Sequence, residues 1–336
     1  HLGGIAMNKR HSLLKILQTF SILILLAGML TGITNLSSGT ANQGGWVIEY
    51  ADAPHLPGST DHSLRVDASG NAHTVYGGDH LYYAWENGES WQVMIVDEDP
   101  TVGQHASLDL DLQGFAHISY YNEPKHALKY AYLDEGGWHT KVLDPDVQNN
   151  HGMGIDTSIA VDADGFPHIS YCNFIGDYRK DLKYTYQDQD GWKYELVESG
   201  NEGWSNSLAL DSNGFPYISY THDEEYYGEG RRLKFAYKNA EGWQYEIIDH
   251  NNKGSDNSLV IDANGNAHLS YDIPSTGLVY GYWDTTGWYT RTLDSFGYNS
   301  SIAVESNGNP HISYGGLALK YAYIEANKWH TTTVEL

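Results

Sequence analysis

Cysteine is nearly absent: Cys172 is the only one in 336 residues, so no disulfide can form within the chain. Nothing near it marks an activated thiolate. Proline is scarce, at nine, and basic residues are few, with 19 Lys and Arg against 43 Asp and Glu. The formal net charge is −24. Such a field repels phosphate backbones and anionic lipid surfaces, which excludes a nucleic-acid partner. Cofactor signatures are missing too. There is no zinc-ligand spacing, no nucleotide-binding glycine loop and no Gly-x-Ser-x-Gly elbow in a supporting context. The acidic surface suits Ca2+, but Asp162-Ala163-Asp164-Gly165 is too short for an EF-hand loop. No cofactor is therefore expected.

Long apolar runs are confined to the first 41 residues, which also hold no acid. Residues 1–6 precede Met7. A basic stretch with Lys9 and Arg10 follows, then an apolar core from about Leu13 to Leu30 and small residues ending at Gly39-Thr40-Ala41. That order is the layout of a secretory signal peptide. The reading is a leader over 1–41 and one exported domain over 42–336, at the cell surface or outside the cell. Stable membrane insertion is expected only if the leader is retained.

What the chain has in abundance is glycine (36), tyrosine (27) and tryptophan (10). They recur in a pattern. A segment of the type Ser-Leu-Ala-Val-Asp-x-x-Gly-x-Pro-His-Ile-Ser-Tyr starts at Ser63, Ser107, Ser158, Ser207, Ser258 and Ser301. Its glycines, from Gly70 to Gly308, are spaced 44, 51, 49, 51 and 43 residues apart. Each unit reads as four short strands. The first is apolar, Asp-x-x-Gly is a tight turn, and His-Ile-Ser-Tyr alternates its faces. A Leu-Lys-Tyr-Ala-Tyr strand and a Trp-headed strand follow. Six antiparallel units about one centre predict an all-β, six-bladed propeller. Asp162 to Tyr171 and its five relatives resemble the secreted "Pro-His-Ile-Ser-Tyr" propellers, and more distantly the NHL and BNR types. The resemblance covers Trp46 to the C-terminus and implies architecture rather than activity.

Seven Trp-headed strands face six copies of the others. Trp46-Val47-Ile48-Glu49-Tyr50 and the strand from Trp329 to Val334 compete for one closing slot, leaving a spare strand for exchange between subunits. Homo-oligomers or filaments are the corresponding expectation. The repeated histidines (His73, His117, His168, His268 and His311, with Tyr217 in the fourth unit) are read as buried partners of the repeat Ser or Asp. The blade tryptophans are read as packing.

Function is expected where the copies differ. Loops in units three and four, with neighbouring positions, supply Phe174, Tyr178, Arg179, Trp204, Asn206, His222, Tyr226, Tyr227 and Arg231; His105, His126 and His151 adjoin them. Aromatic rings among polar groups suit a glycan, so a non-catalytic propeller for binding, adhesion or assembly is the leading reading, with a glycan or a neighbouring surface protein as partner. The rival is a polysaccharide lyase, with His222, Tyr178 or Tyr227 moving the proton and Arg179 or Arg231 neutralising a carboxylate.

Overall fold

The computed structural model describes residues 41–43, 46–48, 51, 62–88, 90–144, 153–175, 179–200, 202–223, 231–249, 254–274 and 276–335. The fold is a six-bladed β-propeller, each blade a four-stranded antiparallel sheet of consecutive strands. The blades span 62–97, 102–144, 153–199, 202–249, 255–294 and 298–335. Blade 3 shows the plan: Met153–Val161, Pro167–Ile175, Arg179–Asp188 and Gly191–Ser199. Among the described residues, no helix is long and apolar enough to cross a membrane.

The repeat motif explains its own geometry. In blade 3, Asp162 Oδ1 accepts the backbone N–H groups of Asp164 and Phe166, closing the turn that Gly165 completes at φ +85°. Its other oxygen stands 3.4 Å from His168 Nε2. The opposite ring nitrogen, Nδ1, meets the Tyr184 hydroxyl on the third strand. The same His–Tyr pair recurs at 2.6 Å in blade 2 (His117–Tyr130) and 2.8 Å in blade 5 (His268–Tyr280). The partner of the histidine is thus Tyr and Asp; the serine of the sequence expectation is engaged elsewhere. Five first-strand serines, Ser63 to Ser258, reach the next blade, with Ser107 Oγ accepting from Ile159 N and Ser158 Oγ from Leu208 N. Four second-strand serines do the same, as Ser170 does to Asn206 Oδ1, whereas Ser313 Oγ has no partner among the described residues.

Aromatic residues fill the joints. Tyr130 meets Trp192 edge-on at 5.3 Å, and Tyr83/Trp138, Tyr184/Trp243, Phe235/Trp288 and Tyr280/Trp329 repeat the contact. The blade tryptophans are packing residues, as expected. A third joint device lies on the incoming first strand, where Gly103, Gly154 and Gly203 cross the first leucine of the preceding blade's third strand.

The terminal strands depart from the expectation of a shared slot. Lys328–Glu335 completes blade 6 itself, with Trp329 packed on Tyr280 and Val334 buried beside Tyr321. Those two residues are committed to the ring. Trp46–Ile48 pairs with Ala41–Gln43 as a separate two-stranded sheet and joins no blade among the described residues. Glu49 and Tyr50 lie outside the described residues, as does the leader up to Thr40. Where the ring comes round, Trp91 and Tyr321 fall in separate clusters, and Ala51 packs with Tyr76 and Tyr82.

Candidate functional site

The second strand of a blade points alternate side chains at its two neighbours. In blade 3, Tyr171 faces blade 2 and donates its hydroxyl to Asp144 Oδ2 at 2.7 Å. Cys172 and Phe174 face blade 4. The Cys172 thiol is fully buried, reaches the Glu202 carbonyl at 3.8 Å, and is pushed upward by desolvation. It is therefore an inert packing group rather than a nucleophile.

Alternation sorts the sequence candidates into two adjacent junctions. Between blades 3 and 4, Phe174 and Trp204 meet edge to face at 5.5 Å. Lys180, which the register places opposite Phe174, sets its Nζ 4.2 Å from the centre of the Trp204 ring and 5.4 Å from that of Phe174. A cation over indole is worth about 0.5–2 kcal/mol, depending on its exposure. Deeper in the same joint, His222 Nδ1 stands 2.6 Å from Glu202 Oε1, and Lys234 reaches that oxygen at 3.1 Å. Lys234 also contacts Glu198 at 2.6 Å, where the Tyr220 hydroxyl donates as well.

Part of this is repeat chemistry. Tyr171–Asp144–Lys183 and Tyr314–Asp294–Lys320 are the same triad in other joints. Glu202 and His222 are additions of blade 4 alone. Sequence reasoning missed Glu202 as a site residue. The signal was present, since an acid replaces Val102 and Met153 at the position preceding the joint glycine.

Between blades 2 and 3, His105 Nδ1 pairs with Asp156 Oδ1 at 3.0 Å and packs on Tyr121. The Tyr121 hydroxyl bonds His126 Nδ1 at 2.8 Å. Asp156 joins the two sites, because its Oδ2 accepts the Ser205 backbone N–H of blade 4 at 3.0 Å. His105, Asp156 and Ser205 occupy one repeat position and share a left-handed backbone, with φ of 53°, 49° and 46°.

Asn206 departs from the reading as a ligand group. Its amide donates to the Asp156 and Gly203 carbonyls and its oxygen accepts from Ser170, so it is spent on the ring. His151, Tyr178, Tyr226 and Tyr227 lie outside the described residues, and Arg179 and Arg231 are described as strand backbone only. The described residues hold no group of three or more His, Cys, Asp or Glu placed to bind a metal ion.

No protein-family model matches the chain, and no curated protein matches it. Solved structures do match in fold. AofleA from Arthrobotrys oligospora is 13% identical with a TM-score of 0.53, covering 83% of this chain and 87% of its own. The SapL1 lectin, solved with α-methyl fucoside, is 12% identical with a TM-score of 0.56, at 83% and 96% coverage. The Penicillium chrysogenum α-L-arabinanase, solved with arabinobiose, is 12% identical with a TM-score of 0.55, at 77% and 89%. At these identities the likeness shows a shared propeller fold.

Proposed function

We propose that this chain is a non-catalytic, exported propeller that binds glycans at the junctions flanking blade 3. The observation that carries the reading is the Phe174–Trp204–Lys180 corner. It gathers residues that the repeat does not require at one joint, whereas the repeat's own aromatics are consumed by packing. Its composition, two aromatic rings with polar groups around them, is that of a sugar subsite. That two of the fold's neighbours were solved with sugars bound, one a lectin and one an arabinanase, supports the choice of ligand class. The carboxylates of Glu198 and Glu202 weigh against lyase action on an anionic polymer, since they oppose its approach.

A glycan array probed with residues 42–336 tests this. The wild type is expected to retain at least one glycan, and Phe174→Ala with Trp204→Ala to lose it while melting within a few degrees of the wild type. Retention by the double variant, or no glycan retained at all, removes the proposal.

A second reading, self-assembly, is favoured by one feature: the hairpin of Ala41–Gln43 and Trp46–Ile48 belongs to no blade among the described residues. Light scattering after chromatography is expected to show oligomers for 42–336 and monomers for 53–336. Equal masses for the two would end it.

A further inference from the structure

Two polar atoms of the blade 3–4 junction are buried without a partner among the described residues. One is a donor, the indole Nε1–H of Trp204; the other is an acceptor, Glu202 Oε2, on a residue only 2% exposed. They lie two residues apart on the strand Glu202–Leu210, and both side chains meet blade 3 groups or their partners. Buried polar atoms are nearly always satisfied, so a set of them at one place records a missing partner. Unpaired indoles occur at the blade tryptophans Trp91 and Trp288 as well. Trp204 differs in standing at a position where other blades carry Gln104, Ile155, Ser255 and Tyr298.

The chemistry of the orphans specifies what they accept. One N–H and one carboxylate oxygen, two residues apart on a strand, suit groups that both donate and accept. Hydroxyls do so; carboxylates and sulfates only accept and are repelled by Glu202. Among the described residues, Lys180 lies over Trp204, and Lys234 is held between Glu198 and Glu202. We infer, resting on the glycan reading above, that this junction selects a neutral, hydroxyl-rich sugar and discriminates against uronate and sulfated sugars. Trp204 Nε1–H donates to one ring hydroxyl, and Glu202 Oε2 accepts from another.

Calorimetric titration of residues 42–336 with neutral oligosaccharides (arabino-, galacto- and manno-configured) and with oligogalacturonate and a sulfated oligosaccharide separates the outcomes. Neutral sugars are expected to bind at least tenfold more tightly than anionic ones. Trp204→Phe keeps the ring and loses the N–H, and should weaken the neutral sugar about tenfold. The class preference is read on the wild type, so it stands independently of how that variant folds. Tighter binding of an anionic sugar would overturn the inference while leaving the glycan reading intact. Unchanged affinity in a folded Trp204→Phe protein would also overturn it, showing that the indole N–H is satisfied by water. No heat with any sugar would remove the glycan reading as well.

Discussion

Blades 3 and 4 are built from the same pattern, yet they treat one buried position in opposite ways. In blade 3, His168 on the second strand bonds Tyr184 on the third. In blade 4 both partners change, to Tyr217 and Phe235, whose rings pack at 5.9 Å. A buried donor and acceptor have been exchanged together, which avoids the cost of leaving one of them unpaired. Residues that change in concert belong to the scaffold. Phe174, Lys180, Glu202 and Trp204 change without matching partners elsewhere in the repeat, and three of them converge on one corner. The distinction separates the frame of the ring from what the ring carries.

The comparison is most sharply tested at the joint glycines. A Cβ on Gly154, at φ +94°, would stand 2.7 Å from Leu128 Cα; on Gly203, at φ +100°, it would stand 3.2 Å from Leu182 Cα. Both positions carry the left-handed penalty of about 1–2 kcal/mol, and Gly154→Ala adds a backbone clash. Urea titration should show Gly154→Ala destabilised by about 3 kcal/mol or more, and Gly203→Ala by less. Equal losses would show that joint packing is not what requires glycine.

Next in size is the hydrogen-bonded pair. Tyr184→Phe should cost about 1–3 kcal/mol, because the His168 ring loses its buried partner, whereas Tyr217→Phe should stay within about 0.5 kcal/mol. Restoring the pair in blade 4 with Tyr217→His and Phe235→Tyr should cost less than Tyr217→His alone, as a double-mutant cycle would record.

The smallest effect is a slope. Desolvation holds His73, His117, His168, His268 and His311 below the ordinary 6.5, against the opposing pull of their turn acids. The unfolded chain then binds more protons than the folded one below about pH 6.5, so stability falls as pH falls through that point. Each histidine contributes up to about 1.4 kcal/mol per pH unit over its window. Carboxylates act later: bonds from Asn71 and Ser69 hold Asp67 below 3.8 although burial opposes them, and that stability is lost only below about pH 4. Replacing His168 and Tyr184 with the Tyr and Phe of blade 4 should flatten the acid limb below pH 6.5. An unchanged limb would mean that His168 is already charged in the folded protein.

The fold was legible in the sequence because a propeller repeats its instructions. Six copies of one turn and one alternating strand leave few architectures open. The His–Tyr pair was legible in principle from the joint replacement at Tyr217 and Phe235. The glycines of the joint were visible as well, four residues before each repeat serine from Gly103 to Gly297, but their role depends on the leucine they cross in the preceding blade. The candidate site was only half legible. The loops of units three and four named Phe174, Trp204 and His222, but alternation and register decide that Phe174 meets Trp204 across a joint while Asn206 turns into the ring. Both terminal strands bore the same Trp-headed pattern, and only pairing could show that Trp329 belongs to blade 6.

The central claim is that the ligand meets the residues that stand outside the repeat. Hydrogen–deuterium exchange of residues 42–336, with and without a glycan retained on the array, measures it directly. Protection is expected at 172–182 and 202–206, with the His–Tyr strands of blades 5 and 6 unchanged. Protection confined to blades 5 and 6, or spread evenly over all six, would contradict it.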